Sequence, residues 1–376
     1  MIIAIVLLQG CTKNDVNYCN DTYVMDKFLS VNDNGIYYSE RGIAYYYDFN
    51  AEVSIPLCTK INCNHEGRSP QNMKPSCDAY LYEHIECMAV IGDSLYYVSV
   101  PDDESYFVKE FYKADKNGKN RVLLCRRENM AFLSFKRFED GYLLYAYYNS
   151  EDQNGQLLEK NEVGIGALNL ETGEMLEVNI EDAYNAQIFW VSMEDSYIYY
   201  VIGYSTLDLK KYSYSELAAN IDKNGETIYS TEMWRYDISS GDKEIYYEKE
   251  TDDGTMMVGY GHFFVSQNNN TKYLMRDLKE CKEFIFDSKF DKCSYNMFYD
   301  GIVFTGKNEI FLLEYDSDEI RMIGKNDVNY GLSVKCMTDN WVFGEIYRDG
   351  TCKYVYCPKN EFMNGIYDWR EFIMSY

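Results

Sequence analysis

Short runs of aromatic and branched apolar residues, each opened by a turn residue, recur along the whole chain. In one copy Asp195-Ser196 precedes Tyr-Ile-Tyr-Tyr, and in another Asp300-Gly301 precedes Ile-Val-Phe. Runs of this composition between turn residues are typical of β-strands. The pattern occurs seven times, and the second turn residues of the copies are Gly35, Ser94, Gly141, Ser196, Gly261, Gly301 and Asn340.

Each copy stands inside a longer unit. A short apolar stretch precedes it, and two more strand-like runs joined by a turn follow it, as in residues 166–178 around Thr172-Gly173. One unit is therefore four antiparallel strands, which we name a, b, c and d. The last three markers, at 261, 301 and 340, are 40 and 39 residues apart, close to the roughly 40–45 residues of a bare propeller blade.

These intervals predict an all-β fold, a seven-bladed β-propeller of four-stranded antiparallel blades that covers residues 23–376. A ring in which each blade buries both faces against its neighbours accounts for aromatic runs too dense for a one-sided sheet. A pair of β-sandwiches is the structural alternative, but nothing in the sequence marks a boundary between two halves.

Composition supports this fold and restricts the partners. Of 376 residues, 46% are hydrophobic and 39 are Tyr, whereas only 5 are Pro; this balance favours half-buried strands. The formal net charge is -25, so a nucleic acid held through its phosphates is excluded, and an anionic membrane surface would repel the protein. We expect a monomer.

The N-terminus carries an apolar run over residues 1–8 that is too short to span a bilayer. The segment Leu8-Gln9-Gly10-Cys11 resembles the lipobox of bacterial lipoproteins, which implies a signal peptide over residues 1–10, diacylation of Cys11 and a tether over residues 11–22. Gln9 and the lack of a preceding Lys or Arg depart from that pattern. The alternative is an apolar first strand of the fold.

With its Asp-Gly-x-Tyr-Tyr type of strand opening, the chain from about residue 23 onward resembles exported lipoprotein β-propellers of anaerobic Gram-positive bacteria. The resemblance implies attachment to the outer face of the cell membrane through a lipid anchor. It implies almost nothing about a ligand.

Connection lengths differ between the two ends of the predicted ring. The a to b and c to d turns are tight, whereas the long connections, 57–83, 101–106, 149–162 and 203–230, all belong to the other end. Because binding residues are often carried on long loops, we expect a partner to be bound at that mouth. Length gained by drift is the alternative explanation.

The first long connection contains Cys58, Cys63, His65 and Cys77. Three thiolates and an imidazole make a complete tetrahedral zinc set, which would be structural because no coordination position stays open. A disulfide within this group, as export would favour, is the alternative. We expect the loop to lie over the long-connection mouth.

Other cysteines fit ordinary positions in strands. Cys87 and Cys336 fall on inner a strands, where a free thiol packs as a small apolar group. Cys352 and Cys357 fall on opposite faces of one strand and are too distant to bridge.

No nucleophile elbow, dinucleotide loop or complete calcium loop is present in the sequence. We therefore expect no catalytic residues and a non-catalytic, surface-anchored protein that binds a protein, peptide or glycan. An extracellular hydrolase or lyase with carboxylates near the ring axis is the competing class, and a structural part of an envelope complex is a third.

Overall fold

The computed structural model describes residues 23–26, 29–63, 65, 77–81, 85–101, 105–151, 157–205, 211–219, 230–248, 254–267, 272–287, 294–315, 317, 319–325, 331–348 and 351–372. The protein is a seven-bladed β-propeller whose antiparallel blades follow one another along the chain. The predicted fold class is confirmed.

Blade 1 has five strands, and blade 2 has four. The strands of these blades are β1 (Tyr23–Asp26), β2 (Leu29–Asn32), β3 (Gly35–Glu40), β4 (Ile43–Asp48), β5 (Val53–Pro56), β6 (Ile85–Ile91), β7 (Ser94–Ser99), β8 (Lys109–Asp115) and β9 (Val122–Arg127). In blade 1, β1 is an additional strand on the free edge of the a strand β2.

Blades 3 and 4 form one continuous sheet because they share a strand. Their strands are β10 (Phe132–Glu139), β11 (Tyr142–Glu151), β12 (Leu157–Asn169), β13 (Met175–Glu194), β14 (Tyr197–Ser205), β15 (Ser230–Asp237) and β16 (Lys243–Glu248). The first part of β13 pairs with β12 as the d strand of blade 3, and the rest pairs with β14 as the a strand of blade 4. The sequence pattern, which marks only the two ends of this strand, predicts two separate strands.

Blades 5 to 7 are regular four-stranded units. Their strands are β17 (Met256–Gly259), β18 (His262–Gln267), β19 (Lys272–Asp277), β20 (Glu283–Asp287), β21 (Ser294–Phe298), β22 (Gly301–Thr305), β23 (Glu309–Leu313), β24 (Ile320–Lys325), β25 (Gly331–Met337), β26 (Trp341–Arg348), β27 (Thr351–Pro358) and β28 (Arg370–Phe372). In all seven blades the b strand starts at the marker residue or one residue after it.

Two short helices lie in connections: α1 (Tyr214–Ala219) and α2 (Lys359–Met363). Ser213 caps α1. The Ser213 backbone N–H donates to Glu216 Oε2 at 2.7 Å, and the Glu216 N–H points back at Ser213 Oγ at 3.4 Å. This reciprocal pairing is a capping box.

Side chains close the ring, because blade 1 comes wholly from the N-terminal part of the chain and blade 7 from the C-terminal part. Tyr38, Phe49, Trp341 and Tyr356 belong to one buried cluster that spans both blades. The Tyr47 and Tyr356 hydroxyls lie 3.0 Å apart within this seam. Blades 1 and 7 are thus joined by aromatic packing and not by a shared sheet.

Candidate functional sites: a cysteine cluster and an axial cavity

The four predicted metal ligands come together in space. One ligand atom from each of Cys58, Cys63, His65 and Cys77 lies within 4.8 Å of all the others. Cys77 Sγ and His65 Nδ1 are 3.7 Å apart, and a tetrahedral site with bonds of 2.3 Å has edges of about 3.8 Å. The three cysteines are free thiols in the structure. The donor set and its spacing fit a four-coordinate zinc ion.

Backbone N–H groups point at the sulfur atoms of the cluster. Burial alone would raise the pKa of the Cys58 thiol. Hydrogen bonds from the N–H groups of Lys60 and Asp78 lower it by more, so the pKa lies below its usual value. Burial raises the pKa of the Cys77 thiol, and the Ala79 N–H bond opposes that rise only in part. Such N–H donors stabilise thiolate, the form that binds metal.

The cluster lies between blades 1 and 2 on their outer strands. On one side, Ala44 of β4 donates its N–H to Ala79 O at 2.9 Å, and the Leu81 N–H donates to Gly42 O at 2.7 Å. On the other side, the guanidinium of Arg121, in the c to d turn of blade 2, donates to three carbonyls of the loop. These acceptors are Asp78 O, Tyr80 O and Leu81 O, at 2.7, 2.5 and 3.0 Å.

Gly118 in the same turn permits this contact. Its φ is +78°, and a Cβ there would lie 2.2 Å from Asp78 O. These backbone and guanidinium bonds hold the described part of the loop between the b to c turn of blade 1, at the long-connection end, and the c to d turn of blade 2. That the loop lies over the long-connection mouth stays a prediction.

A cavity of about 760 Å³ opens at the other mouth, where the a to b turns lie. Five blades and the strand β1 line it. The charged lining residues are Lys136, Arg137, Glu139, Asp140, Glu194, Asp300, Lys335, Asp339 and Lys359, and the aromatic ones are Phe138, Phe189, Trp190, Tyr260, Phe298 and Tyr299. The cavity thus combines both signs of charge with aromatic surface, at the mouth with the shorter connections.

Arg137 of β10 reaches across the cavity from blade 3 to blade 5. Its guanidinium carbon is 5.0 Å from the ring centre of Trp190 and 5.2 Å from that of Tyr260. Trp190 is fixed by the bond from its Nε1 to Val258 O, at 2.8 Å. Arg137 Nε is 2.6 Å from Glu139 Oε1. Burial lowers the pKa of Arg137, but the Glu139 carboxylate more than compensates, and the guanidinium stays charged.

Glu139 and Glu194 occupy the same position in blades 3 and 4, the last residue before the a to b turn. The turn after Glu139 consists of Asp140 and Gly141, with φ of 49° and 81°, a type I′ pair that matches the strand twist. Glu139 Oε2 accepts the Met193 N–H of blade 4 at 2.7 Å. Glu194 in the same way accepts the N–H of Gly261 of blade 5. Each glutamate therefore links its own blade to the next.

Both carboxyl groups are less acidic than usual. Burial raises the pKa of Glu139 to about 7, although Arg137 and the Met193 N–H act in the opposite direction. Burial also raises the pKa of Glu194, against the Gly261 N–H and Arg137. The cavity thus holds two carboxyl groups whose proton affinity is high.

Cys11, the expected lipid attachment residue, lies outside the described residues. Cys87, Cys336 and Cys357 are buried, and Cys352 is exposed on the opposite face of β27. The His262 ring stacks on that of Tyr315, with 4.2 Å between the ring centres.

Sequence reasoning missed Arg137, Glu139 and Glu194. Trp190 packs between blades and also forms a wall of the cavity. A signal was present: the end of β10 reads Lys-Arg-Phe-Glu, whereas β6, the a strand of blade 2, ends Met-Ala-Val-Ile. Charges at the end of an innermost strand have to face the ring axis or a neighbouring blade.

No protein-family model matches this chain, and no curated protein matches it. Among solved structures it is similar to an acylaminoacyl peptidase from Pyrococcus horikoshii, with 12% identity and a TM-score of 0.48 over 78% of this chain and 46% of that one. The chain spans about half the length of that peptidase.

Two further solved structures show similar agreement. The β-propeller domain of the trilobed protease from Pyrococcus furiosus is 14% identical, with a TM-score of 0.44 over 73% of this chain and 80% of that one. An oligogalacturonate lyase in complex with manganese is 10% identical, with a TM-score of 0.45 over 84% and 82%. These similarities are too low to indicate a function.

Within the described part of the chain, no helix is both long enough and apolar enough to cross a membrane.

Proposed function

We propose that this protein is a non-catalytic binding protein that takes a segment of a protein, peptide or glycan into its axial cavity. The observation that carries the proposal is the cavity itself, whose volume of about 760 Å³ lies within the range of about 300–1,000 Å³ common for ligand sites. At its rim Phe189 and Tyr299 are 52% and 69% exposed. Large exposed aromatic side chains beside charged groups suit the recognition of a polar ligand with an apolar face.

The hydrogen bonds of the two glutamates support binding rather than catalysis. Glu139 and Glu194 each accept a backbone N–H of the next blade, so each has a structural task that needs no substrate. A catalytic carboxyl group needs to reach the reacting atoms of its substrate.

The competing proposal is a hydrolase or lyase that uses these two carboxyl groups. The raised pKa values of Glu139 and Glu194 favour it, because a general acid has to keep its proton near neutral pH. Incubating the protein with peptide and glycan libraries and analysing the products by mass spectrometry separates the two proposals. Turnover that Glu139→Gln abolishes would establish the enzyme.

Two exposed tyrosines test which mouth binds the ligand. Tyr299 stands at the cavity, whereas Tyr347, 50% exposed, stands near the end of β26 at the long-connection mouth. We expect Tyr299→Ala to weaken binding of a library member about tenfold, in line with the loss of a good aromatic contact, and Tyr347→Ala to leave it unchanged. The reverse result would place binding at the long-connection mouth.

We further propose that Cys58, Cys63, His65 and Cys77 hold structural zinc. The ion would order the loop against blades 1 and 2 and would supply no reaction, because four protein ligands complete its coordination. Elemental analysis of protein purified without added metal tests this. About one equivalent of zinc is expected, whereas less than about half an equivalent, together with a mass two units below that of the fully reduced chain, would indicate a disulfide.

For its location, we propose a lipid anchor at Cys11 on the extracellular face of the cell membrane. The apolar run before Cys11 supports this, and so does the net charge of -25, which would keep an unanchored chain away from anionic lipids. We expect Cys11→Ser to release the protein into the medium or to leave an uncleaved precursor. Membrane retention at the wild-type level would contradict the anchor.

A further inference from the structure

We infer that the axial cavity recognises the free C-terminal carboxylate of a peptide through Arg137. The inference rests on the proposed binding function and names the chemistry that the cavity selects. Arg137 is a charged group held in a fixed place, with Glu139 at its Nε and with Trp190 and Tyr260 beside its plane.

The two terminal nitrogens of this guanidinium have unused hydrogen-bonding capacity. Nε approaches Glu139, but no hydrogen bond joins Nη1 or Nη2 to any of the described residues. The Arg137 side chain keeps 16% of its surface exposed, and neither nitrogen is among the fully buried, unpartnered polar atoms of the described residues. Because Arg137 lines the cavity, its two amino groups present a fork that matches the two oxygens of a carboxylate.

The three lysines that line the cavity are already engaged, Lys136 among them. Lys359 Nζ lies 2.6 Å from Asp300 Oδ2, and Lys335 Nζ lies 3.1 Å from Glu345 Oε2. Arg137 contacts its partner carboxylate, that of Glu139, only through Nε. It is therefore the cation of the cavity best placed to bind an anionic group of a ligand.

The charge balance of the cavity favours a peptide end over an acidic glycan. The lining carries five acidic residues against four basic ones, and the whole chain carries -25. A polyuronate brings a negative charge on every sugar, and the carboxylates around Arg137 would repel most of them. A peptide C-terminus brings one carboxylate, and its N–H groups can donate to Asp140, Glu194 or Asp339.

The test compares peptides that differ only in their C-terminal carboxylate, with an acidic glycan beside them. A library of tripeptides with free C-termini, the same library with C-terminal amides and an oligogalacturonate are each titrated against the full-length protein, and binding is followed by calorimetry and ligand-observed NMR. We expect the free acids to bind on the order of 10- to 100-fold more tightly than the amides, since a charge-assisted bidentate pair is lost in the amide.

Variants then locate the preference. Arg137→Gln should bind acids and amides equally. Arg235→Gln is the matched control, because Arg235 also lies over a tyrosine ring and pairs with a glutamate, Glu244, but does so on the outer strands β15 and β16; it should keep the preference. If Arg137→Gln does not fold, the comparison of acid with amide on the wild-type protein decides.

The outcomes separate this inference from the proposed function. Peptides that bind the wild-type protein regardless of amidation, or an acid preference that survives in Arg137→Gln, would overturn the inference and leave the binding function standing. Tight binding of oligogalacturonate with no binding of peptides would replace the peptide by an acidic glycan. Absence of binding by all three probes would overturn the inference, and the proposed function would fall with it only if the peptide and glycan libraries also gave no binding.

Discussion

The cysteine cluster and the axial cavity differ in how their residues are distributed along the chain. All four donors of the cluster lie between residues 58 and 77, whereas the cavity collects residues from β1 and from blades 3 to 7. The cluster is consequently a local structure that the ring supports from outside. The cavity exists only where the ends of the a strands meet, so it is a property of the closed ring.

The largest expected effect comes from removing most of blade 7. A chain that ends at Asn340 lacks β26 to β28 and exposes the aromatic seam on blade 1, where Tyr38 and Phe49 would lose Trp341 and Tyr356. Because a propeller protects its blade faces by closure, we expect no cooperative unfolding transition and no peptide binding. The truncated chain should still take up zinc, since all four donors remain.

Circular dichroism during a denaturant titration measures whether unfolding is cooperative. Elemental analysis measures the zinc content separately. A chain that ends at Phe372, and so keeps every strand of blade 7, is the control and should fold. A soluble, cooperative chain ending at Asn340 would show that the ring is not the folding unit.

A smaller effect is expected from the cluster. His65→Ala should lower the zinc content from about one equivalent to below half and the unfolding temperature by a few degrees, because the loop that packs between blades 1 and 2 then loses its internal cross-link. Peptide affinity should stay within twofold of the wild-type value, since the cluster and the cavity lie on different parts of the ring.

His262→Ala gives the opposite test. His262 donates a hydrogen bond from Nδ1 to Tyr260 O, at 2.8 Å, and stacks on Tyr315. The variant His262→Ala should lower the unfolding temperature and leave the zinc content unchanged. If His65→Ala weakened peptide binding, the two regions would be coupled.

The two regions also differ in what the sequence could predict. The b-strand openings identify all seven blades, because a turn followed by aromatic residues is a local pattern repeated at blade intervals. The cluster was identified because His and Cys are rare, chemically distinct residues placed close together. Its attachment to blade 2 was not predictable, since that depends on Arg121 and Gly118, more than 40 residues further along the chain.

For the cavity the situation is reversed. Its lining residues come from five blades that are far apart along the chain. The sequence does not distinguish Glu139 and Glu194 from the other acidic residues, of which the chain has 61 in all. The equivalence of Glu139 and Glu194 becomes visible only when the last residue of each a strand is fixed by register. The equivalent position in blade 5 is Gly259, the last residue of its a strand. Without a side chain, it gives no indication of a role.

The cavity should make the stability of the ring depend on pH. Since burial raises the pKa of Glu139 to about 7 from the ordinary 4.5, the folded protein binds more protons than the unfolded chain between these values. The free energy of unfolding then falls as the pH rises from about 4.5 through 7. Glu139→Gln should lack this contribution, which is on the order of 1–3 kcal/mol.

Urea unfolding at intervals from pH 5 to pH 8 measures how steeply the free energy of unfolding falls with pH in the wild type and in Glu139→Gln. Breaking the pair with Arg137 also costs stability, but a loss that is the same at every pH does not change this slope. Glu244→Gln, on an outer strand with a side chain 60% exposed, is the control and should follow the wild-type curve. Parallel curves for Glu139→Gln and the wild type would mean that Glu139 is ionised throughout this range.

The smallest expected effect tests how closely the guanidinium is positioned. A Cβ on Gly259 would lie 3.4 Å from Arg137 Nη1 and 3.5 Å from Nη2, at the limit of ordinary contact. Gly259→Ala should therefore displace the guanidinium by a few tenths of an ångström and weaken binding of free-acid peptides roughly two- to fivefold, a cost under about 1 kcal/mol.

Gly331→Ala is the control. It lies at the start of β25, where the nearest atom to the added Cβ would be Tyr347 Cβ at 3.7 Å, and it should change nothing. Calorimetric titration of both variants with acid and amide libraries reads the effect as a reduced acid preference at unchanged unfolding temperature, because alanine fits the strand conformation at either position. An acid preference in Gly259→Ala equal to that of the wild type would show that the aromatic rings and Glu139 alone hold Arg137, and that the missing side chain of blade 5 has no part in the site.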